Sequence, residues 1–402
     1  MMAFSSKLLE RIKSSPSILI SNKAMEMKRA GRDVIALSAG EPDFDTPDNI
    51  KMAAMRAIVD GHTKYPPLTG LMELREAICR KFSRENGLDY HPDQVIVSTG
   101  GKQVISNALI ATLDPKDEVI IPAPYWVSYP DMALLGGGEP VVVETLAEDE
   151  FRLTPERLEA AINERTRWLI LNSPGNPSGG VYSAEDLQGL AEVLRRHPRI
   201  LILTDDIYEH IVYDGVTFST MAAAAPDLAD RTLTMNGLSK SYCMTGWRLG
   251  YAAGPKDLIR TMAKVQSQTT SGACGISQWA GVEALDGDQS FIARNVVVFR
   301  ERRDLGVSIL NQTRGLSCSP SKGAFYLYVD CRGAIGKRTP EGETIGSDGD
   351  FAQYLLKSEE VAAVHGEAFG LSPYFRISYA LATDRLEEAC IRIQRACTRL
   401  EG

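Results

Sequence analysis
Between residues 95 and 255 the chain alternates short β-rich runs with stretches of helical periodicity, and that alternation leaves few folds open. Seven runs read as strands: "QVIVST" (94–99), "DEVIIP" (117–122), "PVVVET" (140–145), "RWLILN" (167–172), "ILILTDD" (200–206), "RTLTMNG" (231–237) and "RLGYAAG" (248–254). Several are apolar throughout, as strands buried on both faces are. Helix starts fall between them, at Thr154–Pro155–Glu156 and at Ser183 with Asp186 three residues on. The expected fold is α/β, with a large domain built on a mostly parallel seven-stranded sheet covered by helices.

Past about residue 290 the pattern changes. A long helix, "FIARNVVVFRERRDLGVSIL", precedes antiparallel-looking strands and a final helix from Thr383, with "GKRTPEGETIGSDGD" (336–350) as a polar loop. These describe a smaller α+β domain. The expected boundaries are 1–47 for an N-terminal segment that completes the small domain, 48–290 for the large domain and 291–402 for the small one. A chain of 402 residues, 44% hydrophobic, has ample core for both.

Charge and cysteine usage narrow the partners. The net charge is -8 and there is no dense Lys/Arg block, which argues against nucleic acid or an anionic membrane. Seven scattered cysteines without a C-x-x-C pair, and five dispersed histidines, show neither a disulfide framework nor a metal site. His210 in "DDIYEH" is the most suggestive of the five. No run reaches the ~18 apolar residues of a membrane span, and "MMAFSSKLLERIKSS" has no apolar signal region. A reducing cytoplasm is the expected location.

Chemistry enters at "LSKSYCMTGWRLGY", where Lys240 and Arg248 are the only charges between Leu238 and Tyr251. A cation in so apolar a run needs an anionic partner or a chemical task. Ligands of open α/β sheets bind beyond the carboxyl ends of the strands, and those ends carry further polar groups here. "STGGKQ" (98–103) opens a helical run, and two glycines at a helix start suit a phosphate, although a ligand-free turn has the same sequence. "NSPGNPSGG" holds Asn176 on a Gly/Pro loop that also reads as a plain turn. "TDDIYEH" ends an apolar strand with two acids, which need a cation or serve as helix caps. Pyridoxal phosphate uses the whole set: a lysine for its Schiff base, an anion opposite its ring nitrogen and a cradle for its phosphate.

"SAGEPDFDTP", "KYPPLTG", "APYWVSYP", "NSPGNPSGG", "TDDIYEH", "NGLSKSYCMTGWRLGY" and "FRISYA" together resemble the class I aminotransferases of fold type I, in the bacterial aspartate and aspartate/prephenate branch. The motifs run from Ser38 to Ala380 in the family's order. The resemblance implies a cytoplasmic homodimer whose large domain binds pyridoxal 5'-phosphate. It makes Lys240 the covalent tether and proton shuttle, Asp205 the partner of the ring nitrogen, and Tyr208 and Asn176 the partners of the ring 3'-oxygen. Trp126 would stack on the ring. Arg248, Gly101, Lys102 and Gln103 would hold the phosphate, with Tyr65 reaching it from the partner subunit. Gly40, Trp126, Asn176 and Arg376 would meet the substrate, Arg376 gripping its α-carboxylate. Lys102 and Ser17 would take a distal carboxylate, and Lys13 matches a lysine associated with prephenate use. Two positions depart from the family's pattern: Gly175 where asparagine is frequent, and Asp206 in place of a common glutamate.

The expected activity is transfer of an amino group from aspartate to 2-oxoglutarate, with prephenate as a further acceptor. An aromatic or broad-specificity aminotransferase is the nearest alternative. A pyridoxal-phosphate lyase would share the lysine, aspartate and arginines, and a stoichiometric need for a 2-oxo acid separates it. A regulator built on this fold would carry a DNA-binding segment, for which the residues ahead of Val34 are too few.

Overall fold
Strands form where the seven runs lie. In the computed structural model, which describes residues 5–402, the strands are β1 (Ile35–Ala36), β2 (Val95–Ser98), β3 (Glu118–Ala123), β4 (Glu139–Glu144), β5 (Thr166–Asn172) and β6 (Leu201–Asp205). They continue with β7 (Thr232–Gly237), β8 (Gly250–Ala253), β9 (Tyr326–Asp330), β10 (Val361–Ala362), β11 (Val364–His365) and β12 (Tyr374–Ser378). Seven of them form one sheet in the order β2-β8-β7-β6-β5-β3-β4. Only β8 runs against its neighbours β2 and β7. The start of β8 therefore lies at the same sheet edge as the ends of the parallel strands, and that reversal puts Arg248 beside residues that follow β2, β6 and β7.

Side chains leave this sheet alternately on its two faces. Ile96, Val119, Ile121, Trp168 and Ile170 pack with Val104, Ile105 and Leu109 of the helix Gly101–Thr112. Val95, Val97, Tyr251 and Ala253 pack on the other face with Leu74, Ile78 and Ala280. Both faces are covered, which is why these strands read as unbroken apolar runs.

The long helix forms over Ser290–Asn311 and the last one over Thr383–Thr398. They enclose Phe299, Phe325, Leu327, Phe375 and Ile393 against an antiparallel sheet of order β11-β12-β9. β1 pairs in parallel with β10, which ties the N-terminal residues to this second core. Arg302 of the long helix grips Asp43 through two hydrogen bonds of 2.7 and 2.9 Å, fixing the segment that carries Gly40. The polar stretch 336–350 is loop only in part. Ser347 accepts a hydrogen bond from the Asp350 N–H at 3.1 Å and starts the helix Asp348–Glu359.

Candidate active site
The ends of the parallel strands open onto a cavity of about 460 Å³. Ser38–Glu41 and Arg376 of β12 close over it from the second core. Gly40, Gly101, Lys102, Trp126, Asn176, Asp205, Tyr208, Lys240, Arg248, Arg376 and Ser17 all line this one space. They come from positions 17 to 376 of the chain, and only the topology brings them together.

Three expected residues lie outside the lining. The Gln103 side chain accepts from the Thr99 N–H at 2.6 Å and donates to Thr270 at 2.7 Å, while its own N–H bonds to Gly100. It fastens the helix start instead of facing the cavity. Tyr65 is 94% exposed. Lys13 is exposed too, and its backbone N–H reaches Asp131 at 3.4 Å. His210 also points elsewhere, with Nε2 2.9 Å from the Glu85 carboxylate.

Gly100 begins the helix Gly101–Thr112 with a φ of 82°, a region costly for any residue with a Cβ. A Cβ there would come within 2.5 Å of Arg248 Nη2, so the glycine also makes room for the guanidinium. The N–H groups of Gly101 and Lys102 have no acceptor among the described residues, and they add to the positive end of the helix.

Four cations converge on the cavity, and the protein groups they touch are neutral. Lys240 Nζ donates to the Gly40 carbonyl at 2.5 Å, and Arg248 to the Thr245 carbonyl at 2.9 Å. Arg376 donates to Asn176 Oδ1 at 2.9 Å and to the Ser38 carbonyl at 2.6 Å, and its Nε is buried without a partner. The Lys102 ammonium lies 5.0 Å from the centre of the Trp126 ring. None of the four forms an ion pair among the described residues. Arg376 is buried and Lys240 half-buried, where a charge without a counter-charge is costly, while Arg248 and Lys102 are exposed; together the four suit an anionic ligand.

Burial and these charges set the titration of the site. Burial, then the nearby Arg376, lowers Lys240 to about 8, so its amine is available near neutrality. Burial raises Asp205 to about 6, against the hydrogen bond it accepts from the Tyr129 hydroxyl at 2.6 Å. Tyr208 is raised well above its ordinary value by burial, and its hydroxyl lies 2.9 Å from that of Tyr326. Chemically, this arrangement offers an amine nucleophile, a buried acid, three phenols and cations for at least two anionic groups.

A family model described as aminotransferase class I and II matches residues 32–393, most of the chain and every motif named above. The chain belongs to the class I and II aminotransferases. It is 59% identical over 399 residues to the aspartate/prephenate aminotransferase of Cereibacter sphaeroides, covering 99% of this chain and 100% of that one. It is 55% identical over 386 residues to the aspartate aminotransferase of Rhizobium meliloti, covering 96% and 94%. Among solved structures, aspartate aminotransferase from Rhizobium meliloti superposes with a TM-score of 0.97 at 53% identity, over 100% of both chains. The Thermus thermophilus enzyme with maleate gives 0.92 at 42% identity, over 98% of this chain and 100% of that one.

As an aminotransferase, the protein moves an amino group between an amino acid and a 2-oxo acid. Two residues of its cavity wall carry no role in the sequence reading, although Tyr129 lies within "APYWVSYP". Tyr129 stands three residues after Trp126, at the first position of the helix Tyr129–Leu135, and reads as an ordinary core aromatic. The one available signal was that the buried Asp205 needs a donor. Tyr326 of β9 packs its ring 4.5 Å from the Arg376 guanidinium, and a Cβ on Gly40 would lie 2.7 Å from its hydroxyl.

Proposed function
We propose that this aminotransferase transfers the amino group of L-aspartate to 2-oxoglutarate, using pyridoxal 5'-phosphate bound in the cavity, with prephenate as a further acceptor. The observation that carries the reading is the meeting of four cations, without ion-pair partners among the described residues, and one buried carboxyl around a single cavity. Pyridoxal phosphate, when bound, supplies a carbonyl carbon for covalent capture of amines and a ring that withdraws electrons. The residues present fit it. Arg248 and the free N–H groups of Gly101 and Lys102 would hold its phosphate, and Asp205, which accepts from Tyr129 on one oxygen and from the Ile207 N–H on the other, would pair with the ring nitrogen. Asn176 and Tyr208 would bond the ring oxygen, and Trp126 would stack on the ring.

Lys240 would be the covalent tether, and its Nζ would carry the proton to and from the substrate Cα, a task for an amine with a pKa of about 8. Arg376, locked by Asn176 and Ser38, orients the substrate α-carboxylate. Ser17 Oγ is buried at the cavity wall without a partner, and with Lys102 it receives a distal carboxylate. The N-terminal segment brings Lys13 toward that end as substrate binds. The names of the relatives, aspartate and aspartate/prephenate aminotransferases, support the same choice of substrates. Steady-state rates with a panel of amino donors and 2-oxo acids, prephenate included, test it. Lys102→Ala should cost aspartate about 1–3 kcal/mol in kcat/KM and an aromatic donor much less. Equal losses for all donors would remove the basis for a dicarboxylate enzyme.

The assembly is proposed to be a homodimer. The helix Asp48–Val59 exposes Met52, Met55, Ile58 and Val59 along one face, and Tyr65 follows shortly after. A two-fold contact there would cover this face and hand Tyr65 to the partner's phosphate cradle.

A further inference from the structure
The end of β6 and the turn after it send their residues two ways. Asp205 and Tyr208 line the cavity, whereas Asp206 and Glu209 are buried away from it. The Glu209 carboxylate is held on both oxygens. Oε1 accepts from Asn236 Nδ2 at 2.6 Å and from the Lys81 ammonium, and Oε2 accepts from Asn86 Nδ2 at 2.9 Å. Lys81 is fully buried, donates also to Asn86 Oδ1 at 2.8 Å and lies 3.5 Å from Glu85. Burial works against the charge on Glu209, but Lys81 foremost and His210 next hold its carboxyl below the ordinary range.

These partners sit on separate elements. Lys81 ends the helix Met72–Lys81, and Asn86 closes the π-helical turn Phe82–Asn86 that follows it. Asn236 belongs to β7, four residues ahead of Lys240. Its side-chain Oδ1 accepts from the Gly237 N–H at 2.7 Å, which sets the strand end. Glu85, Glu209 and His210 offer atoms within 4.8 Å of one another, but the Lys81 ammonium already sits against both carboxylates. A buried ion pair is a poor source of stability compared with apolar packing, so its use is geometric. We propose that Glu209, clamped between Lys81 and Asn236, is a positioning residue that fixes the turn bearing Asp205 and Tyr208 against the strand end bearing Lys240. This rests on the roles given above to those three residues. Displacements of an ångström between reacting groups are expensive, and this clamp is what resists them.

Two variants test the clamp in the holoenzyme. Glu209→Gln keeps the shape and removes the charge facing Lys81. Asn236→Ala leaves the Lys81–Glu209 pair intact and cuts the link to β7, together with the side chain's bond to the Gly237 N–H. The readouts are kcat and KM, the pH midpoint of the visible cofactor absorbance, and the unfolding temperature of the cofactor-free protein. Asn236→Ala should lower kcat by roughly 10- to 100-fold with KM within about threefold, and move the absorbance midpoint by about half a unit or more. Glu209→Gln should do the same to a larger extent. If it does not accumulate folded protein, Asn236→Ala alone decides. An Asn236→Ala enzyme with wild-type kcat and midpoint, whatever its unfolding temperature, overturns the proposal. A wild-type protein with no visible band would sink the proposed function, whereas a band that the variants leave unmoved would sink only the clamp.

Discussion
Asp205 is kept in the fold at a cost, because burial raises its carboxyl to about 6 from an ordinary 3.8. Between those values the folded protein binds more protons than the unfolded chain, so stability falls as pH rises through that window. The loss amounts to about 3 kcal/mol once pH passes 6. Asp205→Asn has no such titration. In urea unfolding of the cofactor-free proteins from pH 4 to 7, its stability relative to wild type should rise by up to that amount and then level off. The same substitution should raise the catalytic barrier by about 4–6 kcal/mol, with Asp206→Asn far milder. A stability difference that stays constant across the range would show that Asp205 is not a penalised buried acid. Lys240 and Arg248 were legible in the sequence because each stands as a lone charge in an apolar run. Tyr129 was not, since a phenol in a core cluster looks the same whether or not it donates to a carboxylate. The direction of the Gln103 side chain was hidden for a related reason: its position at the helix start is plain, but its bond to Thr270 lies far along the chain.

At the scale of elements, the alternation of strands and helices was readable because both faces of the sheet are covered and the parallel strands must be apolar. The helix at Ser183 was readable for another reason. Its cap is reciprocal, with Ser183 accepting from the Asp186 N–H and the Asp186 carboxylate accepting from the Ser183 N–H. The start of the helix Asp348–Glu359 was hidden, because its cap lies in a Gly-rich polar stretch that has the composition of a loop. The π-helical turn at Phe82–Asn86 left no signature either, and the residue that ends it, Asn86, bonds to Glu209 far along the chain. The helix start at Gly100 makes an element-level test. Gly100→Ala adds a strained φ and pushes on Arg248, and should weaken pyridoxal phosphate binding about tenfold, as titrated by absorbance. Unchanged affinity would mean that the helix end and Arg248 do not form the phosphate cradle.

The whole molecule joins these parts across long sequence distances. Arg302 holds Asp43, β1 pairs with β10, and Arg376 of β12 reaches over the ends of the main sheet to Asn176. None of those contacts is encoded in a local pattern, and only the family resemblance placed Gly40 and Arg376 in the site before the fold did. Sedimentation at micromolar concentration should show a dimer, and a fully active monomer would exclude a site completed by Tyr65. The central claim is that Lys240 is the group to which the cofactor is joined, and borohydride reduction of the purified holoenzyme followed by peptide mapping tests it most directly. The pyridoxyl label is expected on Lys240 alone, in the peptide containing "LSKSYCMTGWR". A label on Lys102 or any other lysine, with Lys240 unmodified, would contradict the account.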